Sequence, residues 1–271
     1  MNKKHPYLPL NWIHFIVFLV LILTVSSFSF SQIKTPKPPK NRKEQLPSYF
    51  GLQIKPIIPV RMFGTGPVTL DDGVLIATVS PLWGYSFGGT VRAGITKRLA
   101  IETGLNIVQR NYKTDYAVPD SNLTSSTTVG IVSYDIPLNL LVYVQISKQW
   151  FMNVSYGVSG NFYPSNVRTD DNQYPDRFIT EGLRKNWFRV AMNANVGIEW
   201  RTEKRGFFYL GASFQYPFGP IFDIATEYRH KNIKRLNFGE MNGTYITFDI
   251  KYFLPVISRK GPQFKSGPVD L

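Results

Sequence analysis

The sequence predicts an all-β fold, an eight-stranded antiparallel up-and-down transmembrane β-barrel, on three observations. Eight long segments alternate apolar with polar residues, the period of two that a strand imposes. The connections between them alternate strictly between short and long, as in membrane barrels with tight turns on one side and long loops on the other. The chain also opens with an export signature and contains no cysteine, so after export it is held together by something other than disulfides.

Taken in order, residues 1–31 read as a cleaved signal peptide. Lys3 and Lys4 precede an apolar run from Trp12 to Val25, and the small residues Ser29 and Ser31 stand before a cut ahead of Gln32. That run falls short of the ~20 apolar residues a spanning helix needs. The missing cysteine excludes a lipid anchor and thiolate metal sites together. Losing Lys3 and Lys4 takes the formal charge from +13 to +11, and the remaining bases are scattered through turns and alternating strands. Scatter of that kind argues against nucleic acid as a partner and for outer-membrane lipid and lipopolysaccharide. Residues 32–47 interleave Pro36, Pro38, Pro39 and Pro47 with Lys34, Lys37, Lys40, Arg42 and Lys43, which predicts an extended, basic periplasmic linker.

The barrel is expected over residues 48–254. Its strands are Ser48–Met62, Pro81–Ile95, Leu99–Tyr112, Thr128–Ile146, Trp150–Tyr163, Trp187–Arg201, Phe207–Pro217 and Thr244–Leu254. Thr96–Arg98, Ser147–Gln149 and Thr202–Gly206 are the short connections; Phe63–Ser80, Lys113–Thr127, Pro164–Asn186 and Phe218–Gly243 are the long loops. An even strand number puts both ends, including a tail at 255–271, in the periplasm. Parity is clearest in the fifth segment, where Trp150, Met152, Val154, Tyr156 and Val158 oppose Asn153, Ser155, Gly157 and Ser159. One face meets lipid and the other the lumen. Pro56, Pro59 and Pro137 cannot donate to a ladder and predict bulges or unpaired steps. Trp83, Trp150 and Trp200 fall on the lipid parity near strand ends, the place of an aromatic girdle.

Tyr134-Asp-Ile-Pro-Leu138 and Trp150-Phe-Met-Asn-Val-Ser-Tyr-Gly157 resemble the PorT-like outer-membrane barrels of Bacteroidetes, an eight-stranded, OmpA-like class, over about Ser48–Leu254. That family usually has Glu where Asp135 stands. The resemblance implies a role in surface-protein secretion or envelope organisation, with an envelope or secretion protein as partner. Gly243–Phe253 looks like the aromatic-ended signal read by the barrel-assembly machinery during biogenesis, here followed by Pro255–Leu271.

Parity sends Lys55, Arg61, Arg92, Glu102, Arg110, Asp135, Arg189, Glu199, Arg201, Asp249 and Lys251 into the lumen. An eight-stranded barrel is only wide enough for side chains, so these charges are expected to pair into an ion-pair plug. The leading expectation is a non-enzymatic barrel acting through its loops and linker, with no catalytic residue, cofactor or metal. The basic excess supports an alternative, a narrow channel for anionic small solutes. A second alternative is a rim-sited hydrolase or acyltransferase on His230, which has Asp223 and Glu227 near it in sequence. Asp170, Asp171 and Asp176 offer oxygen ligands but match no twelve-residue calcium loop. The sequon Asn153-Val-Ser155 lies inside a strand. Tyr112, Tyr116, Tyr174, Phe178, Phe222 and Tyr228 are the loop aromatics available to grip a glycan or a protein.

Overall fold

A computed structural model describes residues 48–59, 65–96, 98–202, 205–231 and 233–255. The expected signal peptide and linker, the tail beyond Pro255, and Arg61 lie outside the described residues. Among those described, thirteen strands follow one another: β1 (Tyr49–Ile58), β2 (Val68–Asp71), β3 (Ile76–Gly94), β4 (Leu99–Val118), β5 (Leu123–Gln145), β6 (Trp150–Phe162), β7 (Val167–Gln173), β8 (Asp176–Arg184), β9 (Phe188–Arg201), β10 (Phe207–Pro217), β11 (Phe222–His230), β12 (Ile233–Met241) and β13 (Tyr245–Phe253).

Antiparallel pairing runs β1–β3–β4–β5–β6–β9–β10–β13, and β13 returns to β1 with Leu52 opposite Tyr252. This circuit leaves no unpaired edge, which hydrocarbon demands because no water is there to satisfy N–H and C=O groups. At one end, the turn end, tight connections close the hairpins: Ile95 N donates to Leu99 O at 2.9 Å, Ile146 N to Trp150 O at 2.9 Å and Thr202 N to Gly206 O at 3.0 Å.

The other end departs from the expectation of long irregular loops. There β3, β4 and β5 run on past the barrel to Ile76, Val118 and Leu123, and β2 pairs with β3 alongside them. The supposed loops 164–186 and 218–243 fold into a second sheet of order β12-β11-β8-β7. Two apolar clusters join this sheet to the strand extensions. One holds Val79, Tyr112, Ile131, Tyr163, Phe222, Ile224 and Met241; the other holds Leu75, Ala77, Tyr116, Val118, Phe178 and Tyr228. Five of the six loop aromatics are therefore buried core residues, and only Tyr174 stands out in solvent. Tyr116 Oη and Thr180 Oγ1 add a 2.5 Å hydrogen bond, and Ser125 donates to Asp171 at 2.5 Å.

The prolines interrupt pairing without slipping it. On the β13 side of Pro56 the register resumes at Ile57↔Thr247, in phase with Ile54↔Ile250. Around Pro137, Thr103↔Leu138 and Asn106↔Asp135 keep one register. The bulge lies instead on β3 between Leu82 and Tyr85, and it turns both Leu82 and Trp83 outward.

Around the circuit, the outward parity is apolar and open: Leu52, Ile54, Phe87, Leu138, Leu140, Val154, Tyr156, Val196, Ile198, Leu210, Phe248 and Ile250 are all exposed. On β9 this row runs from Phe188 to Trp200, which at about 3.3 Å per residue and ~40° of tilt spans roughly 30 Å, one hydrocarbon thickness. At the turn end, Trp150 and Trp200 face each other and stack with centroids 6.4 Å apart. The aromatic row continues through Phe208 at 6.1 Å and on to Tyr252 at 4.8 Å. Val154 sits in the middle of β6 and is 51% exposed. Val154→Arg is expected to destabilise the lipid-embedded barrel by about 2–4 kcal/mol, and Val154→Leu by under about 0.5 kcal/mol, read by urea unfolding in vesicles.

Candidate functional site

Inward parity places alternate side chains of eight strands in one narrow lumen. At the turn end an ion-pair layer crosses it. Arg92 on β3 donates Nε and Nη2 to Glu102 Oε2 at 2.9 and 2.6 Å, and Nη1 to Glu199 on β9. Glu102 also accepts from Lys251 Nζ at 2.5 Å. Glu199 takes two more bonds from Arg201, at 3.0 and 2.7 Å, and one from Asn153 Nδ2 at 2.6 Å. Each acid thus serves at least two cations, the condition under which buried charge is tolerable. Aromatic rings seal the layer: Arg92 lies 4.2 Å from the Phe253 centroid, Arg201 lies 4.4 Å from that of Phe151, and Phe207 stacks on Phe253.

The middle of the lumen is held by amides and hydroxyls. Asp249 accepts from Ser213 and Thr247 at 2.5 Å each and from Asn195 at 3.0 Å, with Lys55 Nζ 3.6 Å away. Tyr209 donates to Asn195 at 2.5 Å. Its phenol lies over Gly197 and Gly211, where an added Cβ would come within 2.3 Å of Oη, so these paired positions need glycine. Among the described residues no cation lies within 4 Å of Asp135, although Lys55 is near enough to feel its charge. Asp135 accepts from Asn106 and Gln215, both at 3.2 Å, and Gln215 also donates to Ser159 and Asn161 and accepts from Tyr245. Asn153, of the sequon, is buried in the ion-pair layer at the turn end.

At the sheet end, Arg110 donates Nη1 to Tyr163 Oη at 3.3 Å and lies 4.8 Å from the Tyr245 ring. Arg189 stays apart from the ion-pair layer, half-buried at the rim with Nη1 3.4 Å from Phe218 O.

The second sheet separates the other candidates. His230 Nδ1 lies 2.6 Å from Asp176 Oδ1, which also accepts from Tyr228 Oη at 2.7 Å. Asp223 and Glu227, its neighbours in sequence, pair elsewhere: Asp223 with Lys185, Glu227 with Arg229 and Lys234. Asp170 is taken by Arg177 and Asp171 by Ser125 and Gln173, so the three aspartates do not converge on a cation. Residue spacing could not reveal the Asp176–His230 contact, since the two meet only through β8–β11 pairing. The Tyr228 hydroxyl bond, with His230 second, holds the Asp176 carboxyl below its usual range. Burial pushes the Tyr228 hydroxyl up to about 12.

An edgeless circuit with an apolar exterior and a polar, ion-paired interior defines an outer-membrane β-barrel. The chain belongs to the outer membrane protein beta-barrel domain family, whose profile matches residues 24–223. Among solved structures it is similar to the outer membrane protein OprG from Pseudomonas aeruginosa, with 11% identity, a TM-score of 0.44, and coverage of 78% of this chain and 97% of that one. None of the curated proteins compared with it matches.

Glu102→Gln strips two buried cations of their shared partner and is expected to cost about 3–5 kcal/mol in urea unfolding. Ser213→Ala, which removes one of several groups around Asp249, is expected to cost about 1 kcal/mol. Because the Asp176 value is lowered on folding, its contribution is present above the ordinary carboxylate range and is lost as pH falls through the folded value. Amide exchange in β8 and β11, corrected for intrinsic rates, should quicken as acid is added below that range. Tyr228→Phe should move the onset to higher pH.

Proposed function

We propose that the protein is a closed, non-enzymatic outer-membrane scaffold that meets its partners through the second sheet. The observation that carries this reading is the layer of Arg92, Glu102, Glu199 and Lys251, drawn from β3, β4, β9 and β13. A lumen that only side chains can fill, crossed by mutually saturated charges, offers no continuous water path. By the rule that tight turns face the periplasm, the second sheet lies outside the cell. There the outer strand β12 puts Lys234, Leu236 and Phe238 on one open face, with Arg229 and Lys231 exposed nearby. Cations beside apolar side chains suit lipopolysaccharide, whose phosphates adjoin its acyl chains. The resemblance to PorT-like barrels supports a protein partner from the envelope or secretion apparatus on the same side. His230 serves this reading as a structural link between β8 and β11.

Planar-bilayer recording tests the proposal. Purified protein should insert and give no steady conductance, and Glu102→Ala with Glu199→Ala should introduce it. A steady, anion-preferring conductance from the unaltered protein would overturn the closed scaffold in favour of a channel.

A further inference from the structure

Among the described residues the charges of the lumen do not balance, and the surplus is local. Its described acids are Glu102, Asp135, Glu199 and Asp249; its described bases are Lys55, Arg92, Arg110, Arg201 and Lys251. Four of the five bases lie within 4 Å of a carboxylate: Lys55 by Asp249 at 3.6 Å, Arg92 by Glu102 at 2.6 Å, Arg201 by Glu199 at 2.7 Å and Lys251 by Glu102 at 2.5 Å. Arg110 is the exception. It is only 3% exposed, its Nη1 is taken by Tyr163, the Tyr112 and Tyr245 hydroxyls lie close enough to interact with the guanidinium, and its buried Nε and Nη2 have no acceptor in hydrogen-bonding geometry.

Those two atoms form one edge of the guanidinium, the pair of parallel N–H donors that matches two oxygens of a carboxylate or phosphate. The opposite side is walled off, since an added Cβ on Gly243 would come within 2.6 Å of Nη1. A cleft at the sheet end of the lumen is lined by Arg110 together with Pro81, Tyr112, Thr244 and Tyr245. A desolvated cation with a free two-donor edge beside a cleft is a site for a complementary anion.

We propose that Arg110 binds an oxyanion, a carboxylate or phosphate group, through its Nε–Nη2 edge at the sheet end of the barrel. The site stands whether or not the lumen conducts. A dissolved solute and a lipopolysaccharide phosphate present the same chemistry, and they differ in how the group arrives.

The test uses the full-length protein and the midpoint temperature of its heat-modifiable gel migration. Sodium acetate and inorganic phosphate are titrated against sodium chloride at matched ionic strength, first in detergent and then in phosphatidylcholine vesicles with or without lipopolysaccharide. A saturable rise with acetate or phosphate that is lost in Arg110→Gln supports a solute anion. A rise confined to vesicles containing lipopolysaccharide, and again lost in the variant, supports the lipid phosphate. Should Arg110→Gln fail to assemble, Arg110→Lys keeps the charge without the fork and should respond at least about tenfold more weakly. An unaltered protein that responds to neither source, or variants that respond as it does, would overturn the proposal.

Discussion

Satisfaction of the backbone within hydrocarbon is the constraint from which the rest of this structure follows. It forces the strands into a circuit in which β1 must find β13, and the circuit then divides every strand into a lipid parity and a lumen parity. The lipid parity has only to be apolar. The lumen parity inherits all the polar groups, in a space that admits little but side chains. Glu102 and Glu199 are placed where each meets several donors, and Asp249 is ringed by hydroxyl and amide groups.

The second sheet extends this logic beyond the membrane. Once β3, β4 and β5 pass into water, their inward face can be apolar, because water satisfies the edges and hydrophobic burial drives packing. Tyr112, Ile131 and Val79 of the extensions meet Phe222, Ile224 and Met241 of the second sheet. One continuous set of strands thus changes the chemistry of its interior from ion pairs at the turn end to an apolar core at the sheet end, with Arg110 and Tyr163 near the change.

The membrane strands were legible because their exteriors and interiors differ at every step, which is why Phe207–Pro217 and Trp150–Phe162 stand out in the sequence. The second sheet was not. Phe178, Ile179 and Thr180 are buried consecutively in β8, as are Ile224, Ala225 and Thr226 in β11, so no period of two survives. Strand β7, Val-Arg-Thr-Asp-Asp-Asn-Gln, is too polar to suggest a strand at all. Alternation assigns each residue a face, but partnership depends on height and on the strand opposite. Asp135 therefore takes its hydrogen bonds from amides, with Lys55 acting on it only at longer range, and Arg189 stays at the rim. The lipid face of Trp83 was legible; the bulge that places it there was expected at other prolines.

The β1–β13 seam also dictates an order of events. Its partners stand almost two hundred residues apart, whereas Trp150 and its neighbours on β5 are joined by a turn of a few residues. The added loop-closure cost of that separation is modest, about 3 kcal/mol for a roughly fortyfold longer loop. In time, however, the difference is absolute. Every hairpin from β3 to β10 can form while the chain is still arriving, yet the last strand must be delivered before the first has a second neighbour. Until then both outer strands are adhesive edges, open to pairing with another copy. A barrel sewn shut by its two ends is thus a protein whose assembly needs shelter for the full length of its synthesis and export.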